Sequence, residues 1–541
     1  MTALEAAART WLAADPDPET RAETEDLLDR HDEAGLADRF GGRLEFGTAG
    51  LRGALGAGPL RMNRVVVQQT SAGLARFLLG RGDAPTAVIG YDGRRNSRVF
   101  AEDAAAVLAG AGVAATLLPR ALPTPVLAFA VRDLGADAGV MITASHNPAP
   151  DNGYKLYLGG DDAGSQLIPP DDRAVLAAID AVVAAAAPMP RGAFAVADEG
   201  VLDRYVAATA ATAPGSGASD LPWVYTPMHG VGLETVQRVL AAAGLPEPAV
   251  VPEQAEPDGT FPTAPFPNPE EPGTLDLATA LATASGAGLV LANDPDADRL
   301  AVAVATPSGW YRLTGNETGL LLGWRIAAAG AQGTMACSIV STPGLARIAE
   351  HFGLPAVETL TGFKWISRAP GLLFGFEEAL GYLVDPDVVR DKDGISALVA
   401  VLAAAIDLHR DGRTVLDLLG DVEAAIGRFD SDQVSIRVDD LADIAAMTAR
   451  LRSAPPAAIG GLAVLQADDL IDGGDDVPPT DALRYHLEGG ARVIVRPSGT
   501  EPKLKVYVDV RSAARTPEER AAETRRTLDA LRDGVRDLLA G

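Results

Sequence analysis

A repeated alternation of apolar strands and helices is the feature that most constrains the fold of this 541-residue chain. It runs from Thr86 to His409. The predicted strands are Ala87–Tyr91, Ala114–Leu118, Ala138–Thr143, Trp223–Thr226, Leu289–Ala292 and Met335–Ser341. The predicted helices are Phe100–Gly110, Pro125–Leu134, Arg173–Ala187, Leu233–Ala243, Leu275–Ala284, Gly319–Ala329, Leu345–Phe352 and Ile395–His409. This rhythm predicts α/β domains with largely parallel core sheets.

The last part of the chain has a different pattern. Its predicted strands alternate between apolar and polar residues and are separated by two predicted helices. The strands are Val434–Val438, Arg484–His486, Ala491–Val495 and Leu504–Val510, and the helices are Leu441–Leu451 and Pro517–Leu539. Such alternation is typical of antiparallel strands, so this part is predicted to form an α+β domain.

The length of the chain indicates several domains, because a single hydrophobic core stops growing at roughly 250–300 residues. The predicted division is an N-terminal helical extension (1–40), three α/β domains (41–200, 201–315 and 316–425) and the α+β domain (426–541). Residues 252–272 are rich in proline, which predicts a long surface loop within the second α/β domain.

Composition excludes several classes of partner and compartment. The formal net charge is −27, and a surface this acidic repels nucleic acid and anionic lipid. The single cysteine, Cys337, permits no intrachain disulfide, and the N-terminus lacks the apolar core of a signal peptide. The most apolar stretch, 395–406, is too short to span a bilayer. We expect a cytoplasmic protein with neither a nucleic-acid nor a membrane partner.

An acidic segment, Asn293-Asp-Pro-Asp-Ala-Asp-Arg299, follows a predicted buried strand. Its three aspartates can converge on one side of the backbone, where their charges would need a cation. Carboxylate oxygens suit a hard ion such as Mg²⁺. An acidic surface loop is the alternative, but the carboxyl end of a strand is where α/β folds bind ligands. An EF-hand is excluded because its glycine and distal glutamate are absent.

A serine motif, Thr143-Ala-Ser-His-Asn-Pro148, also follows a predicted strand. Ser145 is a candidate phosphoryl acceptor, and the nearby Lys155 could move a proton or pair with a phosphate. An Asn-Pro turn with a capping serine accounts for the motif equally well.

Two further segments have the composition of phosphate-binding loops. Gly47-Thr-Ala-Gly-Leu-Arg-Gly53 could cradle an anion with its backbone N–H groups, although a flexible loop is the equal alternative. Arg496-Pro-Ser-Gly-Thr-Glu-Pro-Lys503 follows a predicted strand and combines one guanidinium with two hydroxyls. It therefore predicts a phosphate cup remote from Ser145 in sequence.

The third α/β region contributes three short motifs. The paired glutamates of Gly375-Phe-Glu-Glu-Ala-Leu-Gly381 suit hydrogen bonding to vicinal hydroxyls, although a helix cap with solvated carboxylates is the alternative. Thr361-Gly-Phe-Lys-Trp365 contains Lys364, and Arg390-Asp-Lys-Asp-Gly394 could place Lys392 at a cleft.

These motifs together resemble the α-D-phosphohexomutase family, which includes phosphoglucomutases and phosphomannomutases. TASHNP, DPDADR and RPSGTEP occur in the family's order, and the resemblance extends from about residue 45 to about residue 507. It implies three α/β domains with mixed sheets and a smaller C-terminal α+β domain, arranged around one cleft.

The resemblance also implies roles for individual residues. The serine of TASHNP carries a phosphoryl group in the family, and the aspartates of DPDADR bind Mg²⁺ together with it. The implied metal ligands are Ser145, Asp294, Asp296 and Asp298. The candidates for proton transfer are Lys392 and then Lys155, with Arg52 orienting the phosphoserine and His146 as a further catalytic candidate.

The remaining motifs imply the substrate contacts. In the family the paired glutamates bind sugar hydroxyls, and RPSGTEP binds the phosphate that is not transferred. The implied substrate-binding residues are Glu377, Glu378, Lys364, Arg299, Arg496, Ser498, Gly499, Thr500 and Lys503.

One position departs from the family's pattern. Hexomutases commonly have a serine after the two glutamates, where this chain has Ala379. The versions GFEEALGY, GFKW and DKDG are similar to the branch that includes phosphopentomutases and glucose-1,6-bisphosphate synthases. The sugar is therefore less constrained by the sequence than the chemistry is.

The predicted function is a phosphosugar mutase that moves a phosphoryl group between C1 and C6 of a hexose phosphate. The cofactors implied are Mg²⁺ and a sugar 1,6-bisphosphate, the partners are sugar phosphates, and the chain is expected to be a monomer or a weak homodimer. A phosphopentomutase and a glucose-1,6-bisphosphate synthase are the alternatives within the family. A phosphatase would not need the cup at Arg496, and a non-catalytic binding protein would not need the three aspartates.

Overall fold

The structure is a computed structural model. It describes residues 2–45, 47, 50–213, 217, 219–438, 441–474, 477–497 and 503–540. The chain forms two compact units. The first contains Met1–Arg312 and Asp385–Ala403, and the second contains Leu313–Val384 and Ala404–Gly541.

Three helices open the first unit: α1 (Ala3–Ala14), α2 (Pro18–Asp29) and α3 (Glu33–Phe40). Each begins after a polar residue, Thr2, Asp17 or Asp32, whose side chain accepts a hydrogen bond from the first turn. The helices share a small core with Leu28 and Leu36 buried at its centre.

The first sheet is mixed. Its elements are β1 (Gly50–Ala54), α4 (Arg64–Leu79), β2 (Thr86–Tyr91), α5 (Ser97–Gly110), β3 (Ala114–Leu117), α6 (Thr124–Asp133), β4 (Ala138–Ile142), β5 (Asp151–Leu158), β6 (Ser165–Gln166), α7 (Asp171–Ala185) and β7 (Ala195–Val196). The order is β1-β5-β4-β2-β3-β7, with β6 beside β5. Strands β4, β2, β3 and β7 are parallel, whereas β5 is antiparallel to both β1 and β4.

The second sheet lies in the same unit. Its elements are α8 (Gly200–Ala210), β8 (Trp223–Thr226), α9 (Leu233–Ala243), β9 (Ala249–Val250), α10 (Asp276–Ser285), β10 (Leu289–Asn293), β11 (Leu300–Thr306) and β12 (Gly309–Arg312). Strands β10, β8 and β9 are parallel, and β11 and β12 extend the sheet in antiparallel fashion. Residues 252–272 contain no strand, as predicted. Their placement at the surface was wrong for Phe261 and Ala264, which are buried.

The second unit contains the third sheet. Its elements are α11 (Gly315–Ala328), β13 (Thr334–Ser338), α12 (Gly344–Phe352), β14 (Ala356–Thr359), α13 (Phe363–Ile366), β15 (Leu372–Glu377) and β16 (Gly381–Leu383), and they are followed along the chain by α14 (Gly394–Arg410) and α15 (Val415–Ile426). Strands β14, β13 and β15 are parallel, and β16 returns antiparallel to β15.

The C-terminal sheet is antiparallel throughout. Its elements are β17 (Arg428–Arg437), α16 (Leu441–Ser453), β18 (Ala458–Ile459), β19 (Leu462–Asp469), β20 (Leu483–Leu487), β21 (Arg492–Pro497), β22 (Lys503–Ser512) and α17 (Pro517–Ala540). The order is β17-β22-β21-β20-β19-β18. Alternate residues Val493 and Val495 are buried in a core with Leu531 of α17.

The predicted fold class is confirmed. Three α/β sheets and one antiparallel α+β sheet follow one another along the chain. The core strands of the three α/β sheets are parallel and each sheet ends in antiparallel strands, so the sheets are mixed, as predicted. None of the helices within the described ranges is both long and apolar enough to cross a bilayer.

Candidate active site

Two predicted motifs of the first unit meet where their strands end. Ser145 lies in the turn between β4 and β5, and the acidic segment lies between β10 and β11. The Ser145 Oγ donates a hydrogen bond to Oδ2 of Asp294 over 2.7 Å and lies 3.1 Å from Nδ1 of His146. Ser145 is 2% exposed, so its hydroxyl is enclosed by these partners.

Arg94 holds the backbone of the serine turn and was missed by sequence reasoning. Its guanidinium donates hydrogen bonds to the carbonyl oxygens of Ser145 (2.6 Å), Asn147 (2.5 Å), Pro148 (2.9 Å) and Asp151 (3.2 Å). Four carbonyls on one planar cation fix the turn at several points.

Two neighbours in turn hold Arg94. Oδ1 of Asp92 accepts from the backbone N–H of Arg94, and its Oδ2 accepts from Thr143 Oγ1 at 2.6 Å. The ring of Phe261 lies over the guanidinium, 4.7 Å from its centroid. Asp92 and Arg94 follow β2, which lies beside β4 in the sheet, so a polar pair at a neighbouring strand end was the available sequence signal.

The three aspartates converge as predicted. Asp294, Asp296 and Asp298 are buried, and one carboxylate oxygen of each lies within 4.8 Å of the others. Lys155 Nζ donates to Oδ2 of Asp296 at 2.7 Å and to Oδ2 of Asp298 at 2.8 Å.

The aspartates differ in their ionisation. Burial and the neighbouring carboxylates raise the pKa of Asp294 well above its ordinary value. Burial also acts against ionisation of Asp298, but Lys155, Lys392 and Arg299 outweigh it and lower the pKa of that carboxyl. Burial and Asp298 act against ionisation of Asp296, but Lys155 and Thr124 outweigh them and lower the pKa of that carboxyl. Asp296 and Asp298 are therefore held as anions, with Lys155 as the cation between them.

The aspartate cluster fits a hard divalent cation. The Oδ1 atoms of Asp296 and Asp298 are buried and accept no hydrogen bond from the described part of the chain. Unsatisfied buried anionic oxygens are costly, and oxygen ligands at this spacing suit an ion such as Mg²⁺. The three aspartates would hold the ion, with the Ser145 Oγ beside them.

Two basic residues complete the surroundings of the aspartates. Lys392 lies in the segment before α14, with its Nζ 3.5 Å from Oδ2 of Asp298. The Arg299 backbone N–H donates to Oδ1 of Asp294 at 3.0 Å, and its Nε lies 3.7 Å from Oδ1 of Asp298. Both cations therefore lie beside the carboxylates of the aspartate cluster.

His146 lies in the serine turn itself, and Arg52 contacts the turn. Burial, together with Arg299 and Arg52, lowers the pKa of His146 well below its ordinary value, which favours the neutral imidazole. Arg52 donates to Oδ1 of Asn147 at 2.9 Å.

The glycine-rich segment needs a correction. Residues 50–54 form β1, paired with β5, so the flexible-loop alternative is wrong for this part of the segment. A Cβ at Gly50 would lie 1.9 Å from the Tyr154 carbonyl oxygen, so this position requires glycine. Phe46, Thr48 and Ala49 lie outside the described residues.

Side chains on both sides of Lys392 anchor its segment and were also missed. Asp391 Oδ2 accepts hydrogen bonds from Tyr157 Oη at 3.0 Å and Gln166 Nε2 at 2.7 Å. Asp393 accepts from Tyr205 Oη at 3.0 Å. The lysine is thus fixed by its two neighbours in sequence.

The predicted sugar-recognition residues lie in the second unit. Glu377 ends β15, and Glu378 follows it in the hairpin turn to β16, so the helix-cap alternative is wrong. The carboxylate of Glu378 accepts hydrogen bonds from Ser338 and Ser341. Lys364 is buried on α13, with its Nζ 5.6 Å from the centroid of the Trp365 ring.

The predicted phosphate cup is described only in part. Arg496 lies on β21 and Lys503 begins β22, whereas Ser498, Gly499 and Thr500 lie outside the described residues. Arg496 shares a hydrogen bond with Tyr507. Burial and the carboxylates of Glu378 and Glu377 raise the pKa of Tyr507, whereas Arg496 lowers it. The arginine and the two glutamates therefore influence the ionisation of the same tyrosine.

Four family descriptions match consecutive parts of the chain. They are "Phosphoglucomutase/phosphomannomutase, alpha/beta/alpha domain I" over residues 43–185, domain II over 203–309, domain III over 314–424 and "C-terminal domain" over 434–526.

Individual proteins are similar over most of the chain. A protein of Haemophilus influenzae named "Probable phosphomannomutase" is 51% identical over 483 residues, with 88% of this chain and 98% of that protein covered. The human "Phosphopentomutase" is 35% identical over 92% of this chain and 90% of its own. A solved phosphoglucomutase/phosphomannomutase family protein from Burkholderia thailandensis superposes with a TM-score of 0.69, at 21% identity, over 92% of this chain and 98% of that one.

Proposed function

This chain belongs to the α-D-phosphohexomutase family, and we propose that it moves a phosphoryl group between C1 and C6 of a hexose phosphate through a phosphoserine at Ser145. It is an isomerase of the phosphosugar mutase class. A sugar bisphosphate is the proposed intermediate, because the group that leaves Ser145 joins a sugar that already carries one phosphate.

One observation carries the proposal: the Ser145 Oγ lies 2.7 Å from Oδ2 of Asp294, a member of the aspartate cluster. In the same cluster, the buried Oδ1 atoms of Asp296 and Asp298 accept no hydrogen bond from any described residue. We propose that Mg²⁺ binds there, where it would neutralise the charge on the transferring phosphoryl group. A nucleophilic serine beside a cation site is what phosphoryl transfer through a phosphoserine requires.

The basic residues around Ser145 support the transfer in both directions. When phosphoserine 145 donates its phosphoryl group to a sugar hydroxyl, the proton of that hydroxyl needs an acceptor. Lys392 is the first candidate and Lys155 the second, because Lys155 is fixed between two carboxylates at 2.7 and 2.8 Å. Arg299, close to Asp294 and Asp298, would bind the transferring phosphoryl group.

The second unit supplies the groups for the rest of the substrate. Arg496 and Lys503 are proposed to bind the phosphate that is not transferred, together with Ser498, Gly499 and Thr500. The Glu377–Glu378 turn and Lys364 are proposed to bind the sugar.

A pentose phosphate is the second candidate substrate. Ala379 removes a hydroxyl from the sugar-recognition turn, and the human relative reported above is named a phosphopentomutase. Both hypotheses use the same residues around Ser145 and differ only in the sugar.

Two measurements test the proposal. Intact-mass analysis and peptide mapping of the purified protein should show one phosphoryl group on Ser145. Isomer formation is then followed from glucose 1-phosphate, mannose 1-phosphate and ribose 1-phosphate, with and without bisphosphate primer. Ser145→Ala should abolish turnover on all three, whereas Ser308→Ala, at an exposed turn, should not. Normal isomerisation by Ser145→Ala contradicts the mechanism.

A further inference from the structure

We infer that Glu378 is a positioning residue rather than a sugar ligand, and that Glu377 alone supplies the carboxylate that binds the sugar hydroxyls. Glu378, Ser338 and Ser341 form a cluster, called here the serine lock, that fixes the turn carrying Glu377. The inference rests on the proposed function, because it divides the roles of two residues at the proposed sugar site.

The hydrogen bonds of the serine lock occupy one oxygen of Glu378. Oε2 accepts from Ser338 Oγ at 3.1 Å and from Ser341 Oγ at 2.9 Å. The two hydroxyls are themselves 2.9 Å apart, and the Glu378 backbone N–H donates to Ser341 Oγ at 3.2 Å. The Ser341 hydroxyl therefore holds both the side chain and the backbone of Glu378.

The serines belong to the interior of the third sheet. Ser338 ends β13, the neighbour of β15, and Ser341 lies in the loop that follows; both side chains are buried. A carboxylate oxygen that accepts from two buried hydroxyls points toward the sheet rather than toward a substrate.

Backbone contacts on the other flank confine the turn. A Cβ on Gly315 would lie 1.9 Å from the Glu378 carbonyl oxygen, so the turn packs directly on the start of α11. Leu380 has a φ of 62°, in the region that favours glycine. A non-glycine residue persists there only when its surroundings enforce the conformation, and the serine lock supplies hydrogen bonds that do so.

The serine lock is also fixed to the phosphate-binding strand. The Arg492 guanidinium donates to the Ser341 carbonyl oxygen at 2.5 Å and pairs with Asp509 at 2.8 Å and Glu358 at 2.8 Å. Arg492 lies on β21, four residues before Arg496. The buried arginine thus links the strand of the proposed phosphate site to the residue that positions the sugar turn.

The first test compares glucose 1-phosphate with its 2-deoxy, 3-deoxy and 4-deoxy analogues, using isomer formation with primer and Mg²⁺. Glu377→Ala should lose most of the wild-type discrimination against at least one analogue, because the group that binds that hydroxyl is gone. Glu378→Ala should lower kcat/KM about tenfold for the parent and the analogues alike, and so keep the discrimination.

The second test is a double-mutant cycle. If Glu378 acts through the serine lock, the variant carrying both Glu378→Ala and Ser341→Ala should have a kcat/KM no lower than that of the less active single variant. In the variant that carries both Glu377→Ala and Ser341→Ala, by contrast, the two fold-losses of kcat/KM should come closer to multiplying, as they do for independent sites. Glu378→Gln should recover most of the activity, because its amide oxygen can accept from both serines.

The outcomes separate the inference from the proposed function. A wild-type protein that isomerises none of the sugar phosphates overturns the proposed function and the inference with it. The inference alone is overturned if the wild type is active and one of two results is found. Either Glu378→Ala loses discrimination against an analogue, or the fold-losses of kcat/KM from Glu378→Ala and Ser341→Ala multiply in the double variant. Thermal unfolding of each variant identifies those that fail to fold, and Ser341→Ala and Glu378→Gln keep the cycle decisive if Glu378→Ala is one of them.

Discussion

Ser145 occupies a backbone conformation that residues with a side chain rarely adopt, with a φ of 52°. Such a conformation costs about 1–3 kcal/mol and persists only where the surroundings enforce it. Here the enforcing groups are Thr143, which accepts from the Ser145 backbone N–H at 2.9 Å, and Arg94, which binds four carbonyls of the turn. The direction of the serine hydroxyl toward Asp294 therefore depends on residues that need not touch a substrate.

Arg94→Ala should destabilise the protein by about 3–5 kcal/mol, because it leaves Asp92 as an uncompensated buried charge and the turn carbonyls unpaired. Arg94→Lys should also lose most of the activity, since an ammonium cannot reproduce the planar set of donors. The measurements are urea unfolding and isomer formation. Arg98→Ala is the matched control: it removes a 74% exposed arginine from the same segment, and it should change stability by less than about 1 kcal/mol. Equal effects of the two alanine variants would contradict the role of Arg94.

Lys155 compensates the charge of Asp296 and Asp298, so its removal should matter most without a divalent cation. In EDTA, Lys155→Met should lower the free energy of unfolding by about 3–5 kcal/mol, because two buried carboxylates lose their cation. Mg²⁺ should narrow the difference from wild type, since the ion supplies positive charge at the same oxygens. Urea unfolding in EDTA and in excess Mg²⁺ measures both values. A deficit of the same size in both conditions argues against a cation site at this cluster.

At the scale of secondary structure, α14 begins directly after Asp393, the residue that follows Lys392. Oδ1 of Asp393 accepts from the backbone N–H groups of Ile395 and Ser396, both at 3.0 Å. These bonds satisfy donors of the first helical turn. The start of this helix therefore fixes the position of the lysine proposed to transfer the proton.

The buried Asp393 carboxyl at the start of α14 predicts that the stability of the protein depends on pH. Burial raises the pKa of Asp393 to about 6, above the value of about 3.9 for an exposed aspartate. Because the folded state holds this proton more tightly, its contribution to stability is full below pH 4 and is lost as pH rises through 6. Asp393→Asn keeps an acceptor for the helix but cannot ionise. The wild-type free energy of unfolding, relative to this variant, should fall by up to about 3 kcal/mol between pH 4 and pH 7. A difference that does not change with pH contradicts the prediction.

Elements with strong local signals were predictable from sequence. The predicted bounds of α9 (Leu233–Ala243) and β8 (Trp223–Thr226) coincide with the observed ones. Their apolar periodicity and flanking glycines act within a few residues. The strand expected over Met335–Ser341 ends instead at Ser338, and this places Ser341 in the loop that contacts Glu378.

Elements that depend on distant partners were not predictable. Strand β1 has a loop-like sequence and is a strand only because it pairs with β5, about a hundred residues further along. Arg94 and Ser341 were missed for the same reason, because each is defined by contacts with residues far away in sequence. Motif spacing identified Ser145 and the aspartates, which are the residues proposed to react or to bind metal; it does not report which side chains hold them in place.

At the scale of the whole molecule, the two compact units divide the proposed chemistry. Ser145, the aspartates, Lys155 and Lys392 belong to the first unit, and the sugar turn and Arg496 belong to the second. The segment Asp385–Ala403 is grouped with the first unit, although the residues before and after it in sequence are grouped with the second. The lysine proposed for proton transfer is thus carried by a segment that returns to the unit of the serine.

This division gives a test that separates a mutase from a phosphatase. A mutase must bind both ends of its substrate, one at Ser145 and the other at Arg496, and must accept the sugar in two orientations. If Arg496 binds the phosphate that is not transferred, as proposed, Arg496→Ala removes a charge-assisted contact of roughly 1.5–3 kcal/mol, and isomer formation should fall by about 10- to 150-fold. Loss of phosphate from phosphoserine 145 to water should change little, because water has no remote phosphate to bind. A phosphatase would instead release phosphate as its main product and keep most of that activity in the variant. Isomer and free phosphate are measured in one assay with primer and Mg²⁺, and free phosphate in excess of isomer from the wild type would refute the mutase.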